Sequence, residues 1–256
     1  VVTENVAIVQ KIFLLFDEFN SFKEDLYNSF LQNLEQGVEV DIYFHHFNEN
    51  NFRKLIVDNK GVYNTYIIMP ANLKNVASVL SVLPTDSVYI LDQSQKELQK
   101  YPSIVQNFKE DIISGLEQAK VYLKPYKKII LLDKLHKQPT SLLEGFKEFC
   151  FSNDYEYQVQ ESLEESTLEK GSVYIVPDDR SLIKVIKKIH ENKMILAKDV
   201  GIISYNETLL KEIVEGGITT ISTDFKAMGK SLASMVMNKE KIQVQNPSSL
   251  ILRNSL

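Results

Sequence analysis

Short β-rich apolar runs alternate with longer amphipathic segments from one end of this chain to the other, and that alternation restricts the fold more than any other feature. IFLLF (12–16) reads as a strand. SFKEDLYNSFLQNLEQG (21–37) carries apolar residues at helical spacing and stops on Gly, so it reads as a helix. VEVDIYF (38–44) is the next strand, NFRKLIVDNKG (51–61) a helix, and TYIIMP (65–70), a helix near 72–82 and SVYILD (87–92) come after it. The pattern goes on through a long helix over 104–123, the strand KKIILLD (127–133), the helix TSLLEGFKEFCFSN (140–153) and the run YQVQ. GSVYIVPDD (171–179), LIKVIKKIHENKM (182–194) and VGIISYN (200–206) repeat strand, helix, strand. ITTIS (218–222), FKAMGKSLASMVMN (225–238) and SLILR (249–253) close the chain as strand, helix and strand.

Strands that alternate with helices of about 10–15 residues build parallel sheets from βαβ units. About ten strands are many for one open sheet, and a chain of 256 residues has room for two cores. The predicted architecture is therefore α/β, with two Rossmann-like lobes. Hydrophobic residues make up 44% of the chain, enough to fill both.

Other function classes fall away on composition. The net charge of −5 gives no general attraction to nucleic acid or anionic lipid. No apolar run reaches the 18 residues of a membrane span, and VVTENVAIVQKIF lacks the pattern of a secretory signal. The single cysteine, Cys150, excludes an intrachain disulfide and reads as a buried packing thiol. No P-loop, G-x-G-x-x-G, C-x-x-C or H-E-x-x-H occurs, and Ser204 and Ser222 stand in no nucleophile elbow. No catalytic constellation, cofactor or metal site is expected. The chain begins without Met and in mid-pattern, as expected of a part cut from a longer protein.

In doubly wound folds ligands sit beyond the carboxyl ends of the strands. Those loops are polar and aromatic here: DEFNSF (17–22), HHFNENNF (45–52), DQSQ (92–95), DKLHKQ (133–138), PDDR (177–180), YNET (205–208) and TDF (223–225). Hydroxyl-pairing groups interleaved with Phe and Tyr faces suit a small polar ligand such as a sugar. Asp17, Phe19 and Asn20 come directly after the first strand; Phe19 offers a ring face and Asp17 a hydroxyl acceptor, though an acid here also reads as a helix cap. His45 and His46 are adjacent, so on a strand they point to opposite faces, and one of them, His46, is the candidate for the ligand. Asn107 reads either as a cap of the long helix or as a ligand contact. Asp178 is both the natural N-cap of its helix and a candidate contact, and Arg180 beside it would make a fork for vicinal hydroxyls. Asn206 can both donate to and accept from a hydroxyl. Asp224 reads as the cap of the helix at 225–238.

Six of these segments, taken in order, resemble the sugar-sensing domain of the lactose/galactose repressor family. They are MPAN (69–72), LLEGFKEF (142–149), VYIVPDDRSLIKVIKKI (173–189), AKDVGIISYNET (197–208), ITTISTDFKAMGKSLASMVMN (218–238) and LILRNS (250–255). The stretch FDEFNSFKEDL (16–26) looks like regulators of the gluconate-repressor class, which carry the same sensor behind a winged helix. The resemblance implies a periplasmic-binding-protein-like fold of type I, with three crossovers near 125, 219 and 240. The N-terminal lobe would then hold 1–125 plus 219–240, and the C-terminal lobe 126–218 plus 241–256. It further implies a monosaccharide effector in the interlobe cleft, lined also by Thr223 and Phe225, and signalling through lobe closure in a cytoplasmic homodimer. DNA would be reached only through an N-terminal domain absent from this chain; candidates for the dimer contact are the helix near 72–82 and the loop after the fourth strand.

The chain departs from the family where Asn206-Glu207 replaces Asp-Asp, where Pro177 replaces an Asn before Asp178, and where Leu142 replaces an Arg. These departures bear on which sugar is read. The candidate set favours a neutral sugar, with a pentose or deoxyhexose preferred on the apolar faces of Phe19 and Phe225. A solute-binding receptor for an ABC sugar transporter is the alternative on the same fold.

Overall fold

The computed structural model describes residues 10–133, 138–161, 163 and 168–256. Residues 134–137 of the loop DKLHKQ and the N-terminal residues 1–9 lie outside the described residues. The chain divides into two compact units, Val1–Val105 with Phe225–Asn246 and Gln106–Asp224 with Pro247–Leu256.

In the first unit, β1 (Lys11–Phe16), β2 (Glu39–Phe44), β3 (Thr65–Ile68), β4 (Val88–Asp92), β5 (Ser103–Val105) and β11 (Gln243–Gln245) form a parallel sheet in the order β11-β5-β4-β3-β1-β2. Side chains alternate between its two faces, as the two-residue period of a strand requires. Ile12, Leu14 and Phe16 pack under α1 (Ser21–Gln32) and α8 (Phe225–Met237), with Leu26, Phe30 and Met228. Phe13 and Leu15 point the other way, into a cluster with Phe52 and Ile56 of α2 (Glu49–Asp58) and Val79 and Leu80 of α3 (Val76–Leu80). Both faces are covered at the centre of the sheet, which is why β1 and β3 read as apolar runs while the edge strands β2 and β11 carry polar residues.

In the second unit, β6 (Lys128–Leu132), β7 (Glu156–Gln160), β8 (Ser172–Val176), β9 (Val200–Tyr205), β10 (Thr219–Thr223) and β12 (Ser248–Ile251) take the order β12-β10-β9-β8-β6-β7. All neighbours are parallel except β12, which runs antiparallel to β10. One face packs on α4 (Phe108–Leu123) and α5 (Thr140–Ser152), and buries Cys150, whose thiol is pushed up to about 12 by burial, as suits a packing residue. The other packs on α6 (Asp179–Glu191), through Leu182, Val185 and Ile189. A short α7 (Leu209–Ile213) comes after β9.

The two-lobe α/β architecture stands as predicted, but the crossing points move. The chain passes between units at 105/106, 224/225 and 246/247 rather than near 125, 219 and 240. Each shift follows from pairing and packing. The α4 helix packs on α5 and β12, so 106–125 belongs to the second unit. The strand β10 pairs with β9 and β12, which carries 219–224 there too. The strand β11 pairs with β5, which returns 241–246 to the first unit. The predicted helix over 104–123 starts only at Phe108, because Ser103–Val105 is drawn into the sheet and Asn107 caps the helix behind it. Among the described residues no helix is long and apolar enough to cross a membrane.

Candidate functional site

The carboxyl ends of the first sheet place three of the predicted residues side by side. Asp17 stands directly after β1 and is buried. It does not cap α1; Asn20 does, accepting the Lys23 amide at 3.2 Å. Asp17 instead forms a buried ion pair with Lys23, and takes the Glu18 amide at 2.5 Å. Its charge is thus already neutralised inside the unit. Phe19 is 56% exposed and meets Phe44 edge-on, with centroids 6.1 Å apart. His46 stacks over the same Phe44 at 6.0 Å and donates its amide to the Asp17 carbonyl at 2.7 Å. Phe19, Phe44 and His46 thus form an aromatic group beyond the ends of β1 and β2.

His45 turns the other way, not by strand alternation, since both histidines lie past the end of β2, but because the chain enters a turn in which His46 takes φ +52°. Its ring is buried, with Nε2 3.0 Å from the Met69 carbonyl and Nδ1 accepting the Phe47 amide at 3.1 Å. That pair of partners fixes the neutral Nε2–H tautomer. Burial pulls its pKa below the usual histidine value, against the opposing pull of the Met69 bond. With both nitrogens engaged, His45 is a core residue. Among the described residues no cluster of three His, Cys, Asp or Glu side chains could hold a metal ion.

The carboxyl ends of the second sheet hold the denser polar group. Asp178 caps α6, accepting the Ser181 amide at 2.9 Å, and Arg180 lies exposed in the first turn. Asn206, just past β9, adopts the left-handed conformation at φ +64° that Asn tolerates better than most residues. Its amide donates to the Ile221 carbonyl at 2.8 Å. Its side-chain Oδ1 is buried and has no hydrogen-bond partner.

Glu207 continues the turn. Its amide donates to Ser222 Oγ at 2.8 Å, and its Oε2 accepts Arg253 Nη1 at 2.9 Å and the Thr220 hydroxyl. Its Oε1 and the hydroxyl of Thr208 are buried without partners. Arg253 reaches Glu207 past Gly217, where an added Cβ would lie 2.6 Å from the arginine Cδ, and both glycines of the Gly-Gly ahead of β10 take positive φ, +75° at Gly216 and +110° at Gly217. Three consecutive residues at one strand end therefore hold buried oxygen atoms with unused hydrogen-bonding capacity. Each such group costs about 1–3 kcal/mol unless something pairs with it.

The remaining predicted residues take structural positions. Asn107 caps α4, accepting the Glu110 amide at 3.4 Å. Thr223 is buried at the end of β10 and donates to the Pro247 carbonyl at 3.0 Å. Phe225 opens α8 and packs at a tilt against Phe22, with centroids 4.8 Å apart, within the core of the first unit. The stretch ITTISTDFKAMGK is thus a strand of one sheet followed by a helix of the other unit, with the crossing at 224/225. Sequence reasoning missed the cations that accompany this set: Lys23, Lys211 and Arg253. Each is paired with a carboxylate, Lys23 with Asp17, Lys211 with Asp179 and Arg253 with Glu207.

Comparison with known proteins yields matches at the level of structure. No protein-family model matches the sequence, and no curated protein sequence matches it. Among solved structures, a transcription regulator-like protein from Staphylococcus haemolyticus aligns with TM-score 0.79 at 15% identity, over 97% of this chain and 98% of that one. A dimeric lac repressor with an 11-residue C-terminal deletion aligns with TM-score 0.79 at 15% identity, over 96% and 98%. A periplasmic binding protein/LacI transcriptional regulator from Alkaliphilus metalliredigens, in complex with D-xylulofuranose, aligns with TM-score 0.76 at 13% identity, over 96% and 98%. The chain has the periplasmic-binding-protein-like type I fold that these regulators share.

Proposed function

We propose that this chain is the effector-binding domain of a lactose/galactose-repressor-type transcription regulator, and that its effector is a neutral monosaccharide. The observation that carries the reading is the run of buried oxygens at Asn206, Glu207 and Thr208. Sugar hydroxyls both donate and accept, and would satisfy them where protein groups do not. The exposed group Phe19, Phe44 and His46 supplies apolar faces of the kind a sugar ring stacks on. Neutrality follows from the charge pattern. Lys23, Lys211 and Arg253 are each matched by a carboxylate, the exposed Arg180 follows directly on the two acids Asp178 and Asp179, and the caps Asn20 and Asp178 already occupy helix N-termini that would otherwise attract a phosphate. In this reading the effector engages both units and draws them together, and DNA is reached through a domain outside this chain.

A thermal-shift screen against D-ribose, D-xylose, L-fucose, L-rhamnose and their phosphorylated counterparts tests it. One neutral sugar should raise the melting temperature through mass action, and its phosphate should do so less. Asn206→Ala should weaken that sugar at least about tenfold, or roughly 1.4 kcal/mol, as expected for a lost buried hydrogen bond. Silence across the panel would sink the sugar reading.

Regulators of this kind act as dimers, whereas a transport receptor on the same fold would act alone. Leu209 and Ile213 of α7 are 76% and 79% exposed, and Leu210 lies beside them. A second copy of this chain would cover such a patch. By contrast the apolar residues of α3, in the segment that the family resemblance puts forward for the dimer, are buried in the core. Sedimentation should show a dimer that Leu209→Ser with Ile213→Ser shifts toward monomer; a wild-type monomer would favour the receptor.

A further inference from the structure

Lys211 is among the most buried charged side chains of the protein, at 1% exposure, and the proposed sugar contacts do not use it. It sits in the middle of α7, between the exposed Leu210 and Glu212. Its Nζ lies 3.0 Å from the carbonyl oxygen of Tyr205, 2.6 Å from that of Asn206 and 3.2 Å from Oδ1 of Asp179. An ammonium has three N–H groups, and three acceptors meet them. A neutral amine would leave one acceptor unmet. Burial draws its pKa down, while Asp179, and more weakly Glu207 and Asp178, push it up.

The three acceptors come from two different strand ends. Tyr205 ends β9 with Asn206 directly after it, and Asp179 opens α6 after β8. Two successive carbonyls converge on one cation at the turn where Asn206 takes φ +64°. Neighbouring bonds hold the other side of that turn: the Asn206 amide on Ile221 and the Glu207 amide on Ser222. The backbone of the residue with the unused Oδ1 is thereby fixed on both sides.

We infer that Lys211 is a positioning residue for effector recognition: its ammonium clamps the Tyr205–Asn206 backbone to the first turn of α6 and so presents the Asn206 side chain to the ligand. The inference rests on the sugar-sensor reading for its ligand but not for its geometry. Lys211 touches no ligand in this scheme and acts through Asn206. Removing its charge should therefore loosen the turn and weaken the sugar through the same contact that Asn206→Ala removes.

Two measurements on the 256-residue chain separate this from a merely structural lysine. The first is hydrogen exchange of the amides of 205–208 in Lys211→Met. These should exchange at least about tenfold faster than in wild type, with β1 and β3 of the first unit unchanged. The second is a double-mutant cycle by calorimetry, using whichever sugar of the panel gives the largest thermal shift. Lys211→Met and Asn206→Ala should each weaken binding about tenfold or more, and the double variant should be no weaker than the worse single one. Lys211→Arg should recover part of the affinity.

Unchanged exchange at 205–208 in folded Lys211→Met, or losses that multiply in the double variant, would overturn the inference. If Lys211→Met does not fold, Asp179→Ala takes its place: it keeps both carbonyl bonds, removes the acceptor that links Lys211 to α6, and should show a smaller change in the same amides. If no sugar of the panel binds wild type, the sensor reading fails, and the exchange arm still decides the role of Lys211.

Discussion

Gly229→Ala is expected to destabilise the first unit by about 2–4 kcal/mol, where an ordinary helical glycine would gain about 1 kcal/mol from the same change. The residue lies inside α8, in the Met-Gly of the stretch FKAMGK. A Cβ built there would stand 2.4 Å from the carbonyl oxygen of Leu26 and 2.9 Å from the amide nitrogen of Phe30. Both are backbone atoms of α1, so no rotamer change relieves the clash and the two helices must separate. Separation loosens the layer that covers Ile12, Leu14 and Phe16, and with it the helix that comes after Asp17 and is capped by Asn20. Urea unfolding monitored by circular dichroism would measure the loss, with Lys230→Ala on the exposed side of the same helix as the control near zero. A Gly229→Ala protein as stable as wild type would show that α1 and α8 do not approach this closely.

That glycine illustrates what a sequence conveys and what it withholds. The alternation of strand runs with amphipathic segments was enough for two parallel sheets: IFLLF is apolar on both faces because both are covered, while VEVDIYF, at the sheet edge, still alternates apolar with polar residues. Asn107 and Asp178 were legible as caps, since a short polar side chain just ahead of an amphipathic run has a local reason to be there. Strands β5 and β11 were not legible. SIV runs without a break into the helix behind Asn107, and is a strand because β4 pairs along one edge of it and β11 along the other; QVQ is a short, polar edge strand whose one partner is β5. The shifted crossing points follow from the pairing of β11 with β5, the pairing of β10 with β9 and β12, and the packing of α4.

The site divides in the same way. Positions at strand ends could be named from the fold rule alone, and Asn206 does stand directly after β9. The ion pairs could not. Lys211 stands in LLKEI, where nothing distinguishes it from a surface lysine, and its burial is decided by carbonyls and a carboxylate from two other elements. Asp17 is six residues from Lys23, and only the turn into α1 brings the two together. Phe225 passed for a ligand face, but its ring belongs to the core because Phe22 lies against it.

Asp111 provides the second large effect, and its sign runs opposite to that of most carboxylates. It lies in the first turns of α4, 5% exposed, with Oδ2 buried and lacking a partner. Burial pushes its carboxyl up from 3.8 to about 6, more than hydrogen bonds from the Ser248 side chain and the Asn107 backbone pull it down. A carboxyl raised in the folded state binds its proton more tightly there than in the unfolded chain. Stability is therefore lost as pH rises from about 4 through about 6, and stays lost above that. The difference amounts to about 2–3 kcal/mol at neutral pH, at about 1.4 kcal/mol per pH unit. Asp111→Asn removes the charge and keeps the shape. It should stabilise the protein by about that amount at about pH 8, and the gain should shrink through about pH 6 and vanish near about pH 4. Melting temperatures of both proteins across that range would trace the two curves. Parallel curves would mean that Asp111 titrates as an ordinary carboxylate, and a variant less stable at the alkaline end would mean that its charge is held by Ser248 and Asn107 after all. Each of those partners is the second residue after a crossing, at 246/247 and 105/106, so the same carboxyl ties together two of the three places where the chain enters or leaves the second unit.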